Sequence, residues 1–215
     1  MRIQWAGGGP IAGPIAEPRL GTGVTREHDP QEPAIQPVET QVTTYYLELR
    51  GLEEFKPSGR GVPDLEIREA RIASPELGRF LYTAVGRAWG WTDRLSWPYS
   101  KWLAHLERPE VEVWIAYLGG TIAGYVELER QPEESVEIAY FGLLRQFMGM
   151  GIGGLLLSDT VERAFRAGAR RISLDTCSLD SPRAMENYRA RGFKLFHEET
   201  APRDVPPASP DEAGW

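Results

Sequence analysis

The stretch Glu137–Gly154, EIAYFGLLRQFMGMGIGG, constrains the fold more than any other part of the chain. Residues 136–143 read as a strand. Residues 151–167 read as a helix with Leu157, Val161, Ala164 and Phe165 on one face. Glycines at 149, 151 and 153 lie at the turn between them. A strand that passes through a glycine-rich turn into a helix makes an anion site. The first amides of a helix have no intrahelical partner, and the macrodipole makes that end positive. Glycine, lacking a Cβ, lets the backbone approach a ligand closely. A phosphate or pyrophosphate is the expected occupant; the alternative is that the glycines serve only tight helix–strand packing.

The remaining elements set the fold class. Val42–Leu49 and Leu65–Ile72 read as strands. Ser74-Pro75-Glu76 is a helix start, and Leu77, Phe80, Leu81, Ala84, Val85 and Ala88 fall on one helical face. Trp89, Trp91, Trp97 and Trp102 follow within a short span, with a short helix around 102–106. Val111–Leu118 and Thr121–Arg130 flank Gly119-Gly120, a hairpin signal. Arg171–Thr176 is a strand, Ser181-Pro182 opens a helix that Gly192 ends, and Phe193–Glu198 is a last strand. A hairpin followed by strand–helix–strand–helix–strand is a mixed, α+β-like α/β fold.

At 215 residues the chain supports one domain with tails. Residues 1–40 hold six glycines and six prolines and read as an extension. Residues 41–200 read as the folded domain, and 201–215 as a Pro-rich tail. A net charge of −7 argues against a nucleic-acid partner. No run of 18 apolar residues marks a membrane span, and residues 1–10 lack the apolar core of a secretory signal. Cys177 is the single cysteine, and three scattered histidines give no ligand spacing, so no metal is expected. The expected setting is cytoplasmic.

Two phosphate ligands compete for the glycine turn. Gly149-x-Gly151-x-x-Gly154 matches the dinucleotide fingerprint, with Asp175 about 20 residues on as a ribose-binding acid. Residues 144–148 make the turn too long for that motif, and too few elements follow Asp175. The same residues fit another pattern. Gln146-Phe147-Met148-Gly149-Met150-Gly151 resembles the Q/R-x-x-G-x-G/A pyrophosphate loop of the GNAT (GCN5-related) N-acetyltransferases. Asn187–Phe193, NYRARGF, is similar to the Y-x-x-x-G-F signature of that family. The strand before the loop resembles the family's fourth strand, and the resemblance runs from Leu65 to Glu198.

The resemblance implies the GNAT acyl-CoA N-acyltransferase fold, a central mixed sheet with helices on both sides and splayed fourth and fifth strands. It implies acetyl-CoA as co-substrate and an amine acceptor, and homodimers are frequent in such proteins. Donor contacts are implied for Phe141, Leu143, Leu144, Gln146 and Asn187, and for the loop residues Met148, Gly149, Met150, Gly151, Ile152 and Gly153. The pyrophosphate would meet the amides of Met148–Gly153, and the pantetheine would pair with the backbone of Phe141 and Leu143. Relatives often carry a basic residue at the position of Met148, Pro at Arg145 and Asn at Ser181.

Acetyl transfer needs a base, an oxyanion donor and an acid. Glu137 is the expected base, six residues before Leu143, its pKa raised by partial burial. Tyr188 is the acid that the resemblance implies, delivering a proton to the leaving sulfur. A bulge over Phe141–Leu143 is expected to supply the oxyanion amide. Tyr140, of opposite strand parity to Glu137, is expected to pack on the other face. Trp102 is expected in the core, and one of Trp89 or Trp91 at the acceptor cleft. A non-catalytic acyl-CoA sensor on the same fold is the alternative.

Overall fold

The computed structural model describes residues 38–59 and 61–205. Seven strands form one sheet: β1 Val38–Leu49, β2 Leu65–Glu69, β3 Val111–Leu118, β4 Thr121–Gln131, β5 Ser135–Leu143, β6 Arg171–Cys177 and β7 Lys194–Val205. Four α-helices connect them: α1 Pro75–Gly86, α2 Tyr99–Leu106, α3 Ile152–Arg166 and α4 Pro182–Ala190. The sheet order is β2-β3-β4-β5-β6-β1-β7. Only β5 and β6 run parallel; every other pair is antiparallel. This is the expected mixed sheet.

Helices cover both faces. Leu156, Leu157 and Val161 of α3 pack with Val126, Leu128, Ile138, Ile172 and Leu174 in one core. Leu81 and Val85 of α1 pack with Val113, Ile115 and Tyr125 on the opposite face. The helix starts follow local chemistry. Ser74 Oγ accepts the N–H of Leu77 at 3.3 Å, a cap worth about 1 kcal/mol, with Pro75 at the first turn.

The buried face of α1 is rotated from the expected one. Leu81, Tyr82, Val85 and Gly86 are buried, whereas Phe80 is 50% exposed and Ala84 and Ala88 are also exposed. The cause is Trp91, which folds back over the end of the helix. A Cβ at Gly86 would run into its indole, so glycine is what admits the ring there. Tyr82 can be buried because its hydroxyl finds Asp93.

The two ends of the domain also differ from expectation. Residues 38–40 belong to β1 and residues 201–205 to β7, paired from Val38↔Val205 onward. Pro202 is tolerated because β7 is an edge strand, where a missing N–H breaks no inner ladder. The rest of the 1–40 extension and of the 201–215 tail lies outside the described residues. β1 is inserted between β6 and β7, a pairing that strand patterns alone do not disclose.

Two irregularities position the site. First, β5 and β6 pair only from Ser135↔Arg171 to Ile138↔Leu174. Beyond that point β5 continues on β4 to Leu143, and β6 continues on β1 to Cys177. The strands therefore fork, as expected for the splayed pair. Second, the β4–β5 register shifts between Glu127↔Tyr140 and Leu128↔Ile138, which leaves Ala139 as an extra residue. The bulge lies at Ala139, not over Phe141–Leu143. It also resets the side-chain parity. Glu137 is opposite Glu129 and Tyr140 opposite Glu127, two residues of like parity on β4, so Tyr140 shares the face of Glu137.

Candidate active site

The open end of the fork meets the start of α3. Leu144 donates its amide to the Ala123 carbonyl at 2.9 Å. The alternation of an antiparallel ladder then turns the peptide groups of Phe141 and Leu143 away from β4, toward the fork. Residues 145–147 form a 3₁₀ turn, with Gln146 exposed on it. This turn takes the amide of Met148, which donates to the Arg145 carbonyl at 3.2 Å, so Met148 is not among the free donors expected of the loop. Gly149 and Gly151 have φ of 80° and 88°, left-handed values that bend the chain into the helix.

Gly151 is the N-cap of α3 and offers no side-chain cap, so the amides of Ile152, Gly153 and Gly154 face outward from the first turn. The Ile152 side chain is fully buried, which limits its contribution to its amide, while Met150 is 48% exposed. Positive charge comes from α4. The Nη1 of Arg183 lies 3.3 Å from where a Cβ at Gly149 would sit. That guanidinium puts a cation beside the loop, where Met148 carries none. Asn187 donates its Nδ2 to the Gly153 carbonyl at 3.3 Å and ties α4 to the loop. A glycine cradle with outward amides and a nearby guanidinium fits the pyrophosphate of a CoA thioester.

Tyr188 of α4 is 5% exposed, its ring 6.0 Å from Phe141 on the β5 edge and 6.2 Å from Phe193. Burial, then the charges of Asp180 and Asp175, push its phenol well above the ordinary value, so it stays protonated. Glu137 is half-buried at the last paired stretch. Its carboxyl is raised by burial first, then by Asp175 and Glu129, and it accepts a hydrogen bond from Gln131 Nε2 at 3.0 Å. Asp175 is the first β6 residue past the last pair. It has the parity of Ser173, which pairs with Glu137, so both carboxylates share a face. Asp175 is exposed at its edge, yet desolvation by the surrounding protein and then Asp180 raise its carboxyl too.

The same face carries a dense aromatic and ionic cluster. Trp91 packs 4.9 Å from Tyr140 and 5.6 Å from Tyr82, ring centre to ring centre, and close to Gly142 on the β5 edge. Trp102 is 2% exposed and in the core, as expected. Of the two expected acceptor-side tryptophans, Trp91 joins this cluster. Trp89 is half-buried in the 3₁₀ turn after α1 and makes none of its ring contacts. Tyr82 and Tyr140 donate their hydroxyls to the two oxygens of Asp93, at 2.7 and 2.5 Å.

Beneath them Arg94 Nη1 donates to both oxygens of Glu127, at 2.9 and 3.1 Å, and His105 Nε2 donates to Glu127 Oε1 at 2.9 Å. Burial alone would raise Glu127. The His105 hydrogen bond and the charge of Arg94 outweigh it and leave the carboxyl below its ordinary value. Sequence spacing did not locate this network, because Glu127 alternates with the apolar Val126 and Leu128 as a solvent-facing strand residue would. Arg183 was also missed, since nothing in its spacing ties it to residue 149. No group of metal-ligating side chains occurs among the described residues. No helix among them is long and apolar enough to cross a membrane.

The comparisons bear on the fold and the family. No curated protein matches the sequence. Among solved structures, a GCN5-related N-acetyltransferase from Kribbella flavida is similar, with TM-score 0.55 and 16% identity over 75% of this chain and 58% of that one. Another, from Sphaerobacter thermophilus, gives TM-score 0.55 and 20% identity over 81% of this chain and 54% of that one. The chain thus spans little more than half the length of these structures, and the likeness speaks for the fold. The family model described as "Acetyltransferase (GNAT) family" matches residues 74–193, from the α1 cap through the Tyr188…Gly192-Phe193 signature, more than half of the chain. With the forked sheet and the glycine-capped α3 already in view, that match settles the family: the chain belongs to the GNAT acetyltransferases.

Proposed function

We propose that the protein transfers an acetyl group from acetyl-CoA to a primary amine of a small molecule or peptide, by direct attack within a ternary complex. The observation that carries this reading is the fork between β5 and β6 with the amide-rich start of α3 at its open end. Acetyl-CoA supplies the acyl group as an activated thioester. The outward amides of Ile152, Gly153 and Gly154, with Arg183, hold phosphate charge. The unpaired peptide groups of Phe141 and Leu143 accept an extended amide chain, as an open strand edge does.

The amine nitrogen forms its bond to the acyl carbon as the carbon–sulfur bond breaks. Glu137 takes the proton that the amine must lose, directly or through water. Tyr188 gives a proton to the departing sulfur. The raised carboxyl of Glu137 and the protonated phenol of Tyr188 suit these roles.

Glu137→Gln is expected to lower kcat by about a hundredfold at neutral pH with little change in acetyl-CoA affinity. In the wild type the rate should fall on the acid side, because burial raises the Glu137 carboxyl above its ordinary 4.5. Asp175→Asn is the control, since Asp175 shares the face. Full activity of Glu137→Gln together with loss in Asp175→Asn transfers the base role to Asp175. Tyr188→Phe should slow turnover about tenfold, read in single-turnover release of free CoA. Release of CoA that does not depend on an added amine would contradict transfer altogether.

A further inference from the structure

The proposed transfer leaves one built feature without a role. Asp93, in the segment between α1 and α2, is exposed, while the groups that hold it are not. Tyr82 is 1% exposed and fixed to the Arg94 amide as well as to Asp93. Tyr140 belongs to β5, one residue before the Phe141–Leu143 edge where the donor is expected. Two phenols therefore orient both oxygens of a solvent-facing carboxylate at the rim of the fork.

Among the described residues Asp93 forms no ion pair. Arg94, the adjacent residue, is committed to Glu127 at 2.9 Å and stacked over Tyr140 at 4.3 Å. Trp91 stands beside it as an aromatic wall against Tyr140 and Tyr82, a surface that attracts cations. The hydroxyl of Tyr125, whose ring lies 6.5 Å from Trp91, is buried and has no hydrogen-bond partner among the described residues. Among the described residues the wall thus carries an unsatisfied polar atom and a carboxylate with no ion-pair partner.

Resting on the transferase reading, we propose that Asp93 is a specificity-determining residue that anchors a second cationic group of the acceptor, so that diamines are preferred over monoamines. The reacting nitrogen must be neutral at the fork, but a second ammonium can stay charged between Asp93 and the Trp91 ring. A fixed, pre-oriented carboxylate holds it without ordering cost at the moment of binding.

The test compares 1,4-diaminobutane with butylamine, which share a chain and differ in the second ammonium, as acceptors in amine-dependent CoA release. The wild type should show kcat/KM about tenfold higher for the diamine, carried by KM. Asp93→Asn should bring the diamine-to-monoamine ratio close to one, with an acetyl-CoA titration reporting that the donor site is still formed. Equal use of both amines by the wild type overturns the role of Asp93 and leaves the transferase reading standing, even if the variant fails to fold. A ratio unchanged in folded Asp93→Asn also overturns it. If acetyl-CoA binds but neither amine nor a wider amine panel releases CoA, the transferase reading falls and this proposal with it.

Discussion

On the proposed donor side of the fork the candidate contacts fall to backbone: the outward amides of α3, the peptide groups of Phe141 and Leu143, and left-handed turns at Gly149 and Gly151. On the proposed acceptor side they fall to side chains from four elements and one loop: Tyr82, Asp93, Arg94, His105, Glu127 and Tyr140. A backbone site depends on chain conformation and tolerates many side chains. A side-chain network depends on each member, and its loss is felt in stability as well as in recognition. One fold can therefore keep a constant donor site while the opposite wall is rebuilt for another acceptor.

The largest effect should come from the acceptor side, in stability. Glu127→Gln leaves the buried Arg94 charge uncompensated and is expected to cost about 4 kcal/mol in chemical denaturation. The folded variant should still bind acetyl-CoA, since no donor contact is touched. The pH dependence sharpens this. Glu127 has a folded pKa below its ordinary 4.5, so its contribution is present above that value and fades as pH falls through the folded pKa. The raised carboxyls of Glu137 and Asp175 act in the opposite sense. Melting followed from neutral pH downward should thus drop less steeply in Glu127→Gln than in the wild type.

Next comes the donor side. Gly151→Val places a β-branched residue at φ 88° and should weaken acetyl-CoA binding by at least about a hundredfold in calorimetry. If a folded variant bound normally, the division between backbone and side-chain sites would fail. The smallest effect is expected from Arg183→Gln, because Arg183 is exposed. A loss of about fivefold in acetyl-CoA affinity, shrinking with added salt, matches one screened charge.

The same contrast explains what could be read from the sequence. The glycine loop, the Ser74 and Ser181 helix starts, the Gly119-Gly120 hairpin and the Gly192 stop are local signals, tied to backbone conformation, and the structure carries them where they were expected. The acceptor wall is nonlocal. Asp93 meets Tyr140 across 47 residues, and Arg94 meets Glu127 across 33. The single extra residue at Ala139 inverts the parity argument for Tyr140, and alternation of apolar and polar residues gives no hint of it. β1 reads as a strand from its β-branched and aromatic residues, but its insertion between β6 and β7 depends on pairing over more than 100 positions.

Amide hydrogen exchange with and without saturating acetyl-CoA tests the central claim most directly. The account predicts new protection confined to residues 141–154, on the β5 edge and the start of α3, with residues 82–105 of the acceptor wall unchanged. Protection centred on residues 82–105, or none at all in folded protein, would contradict it.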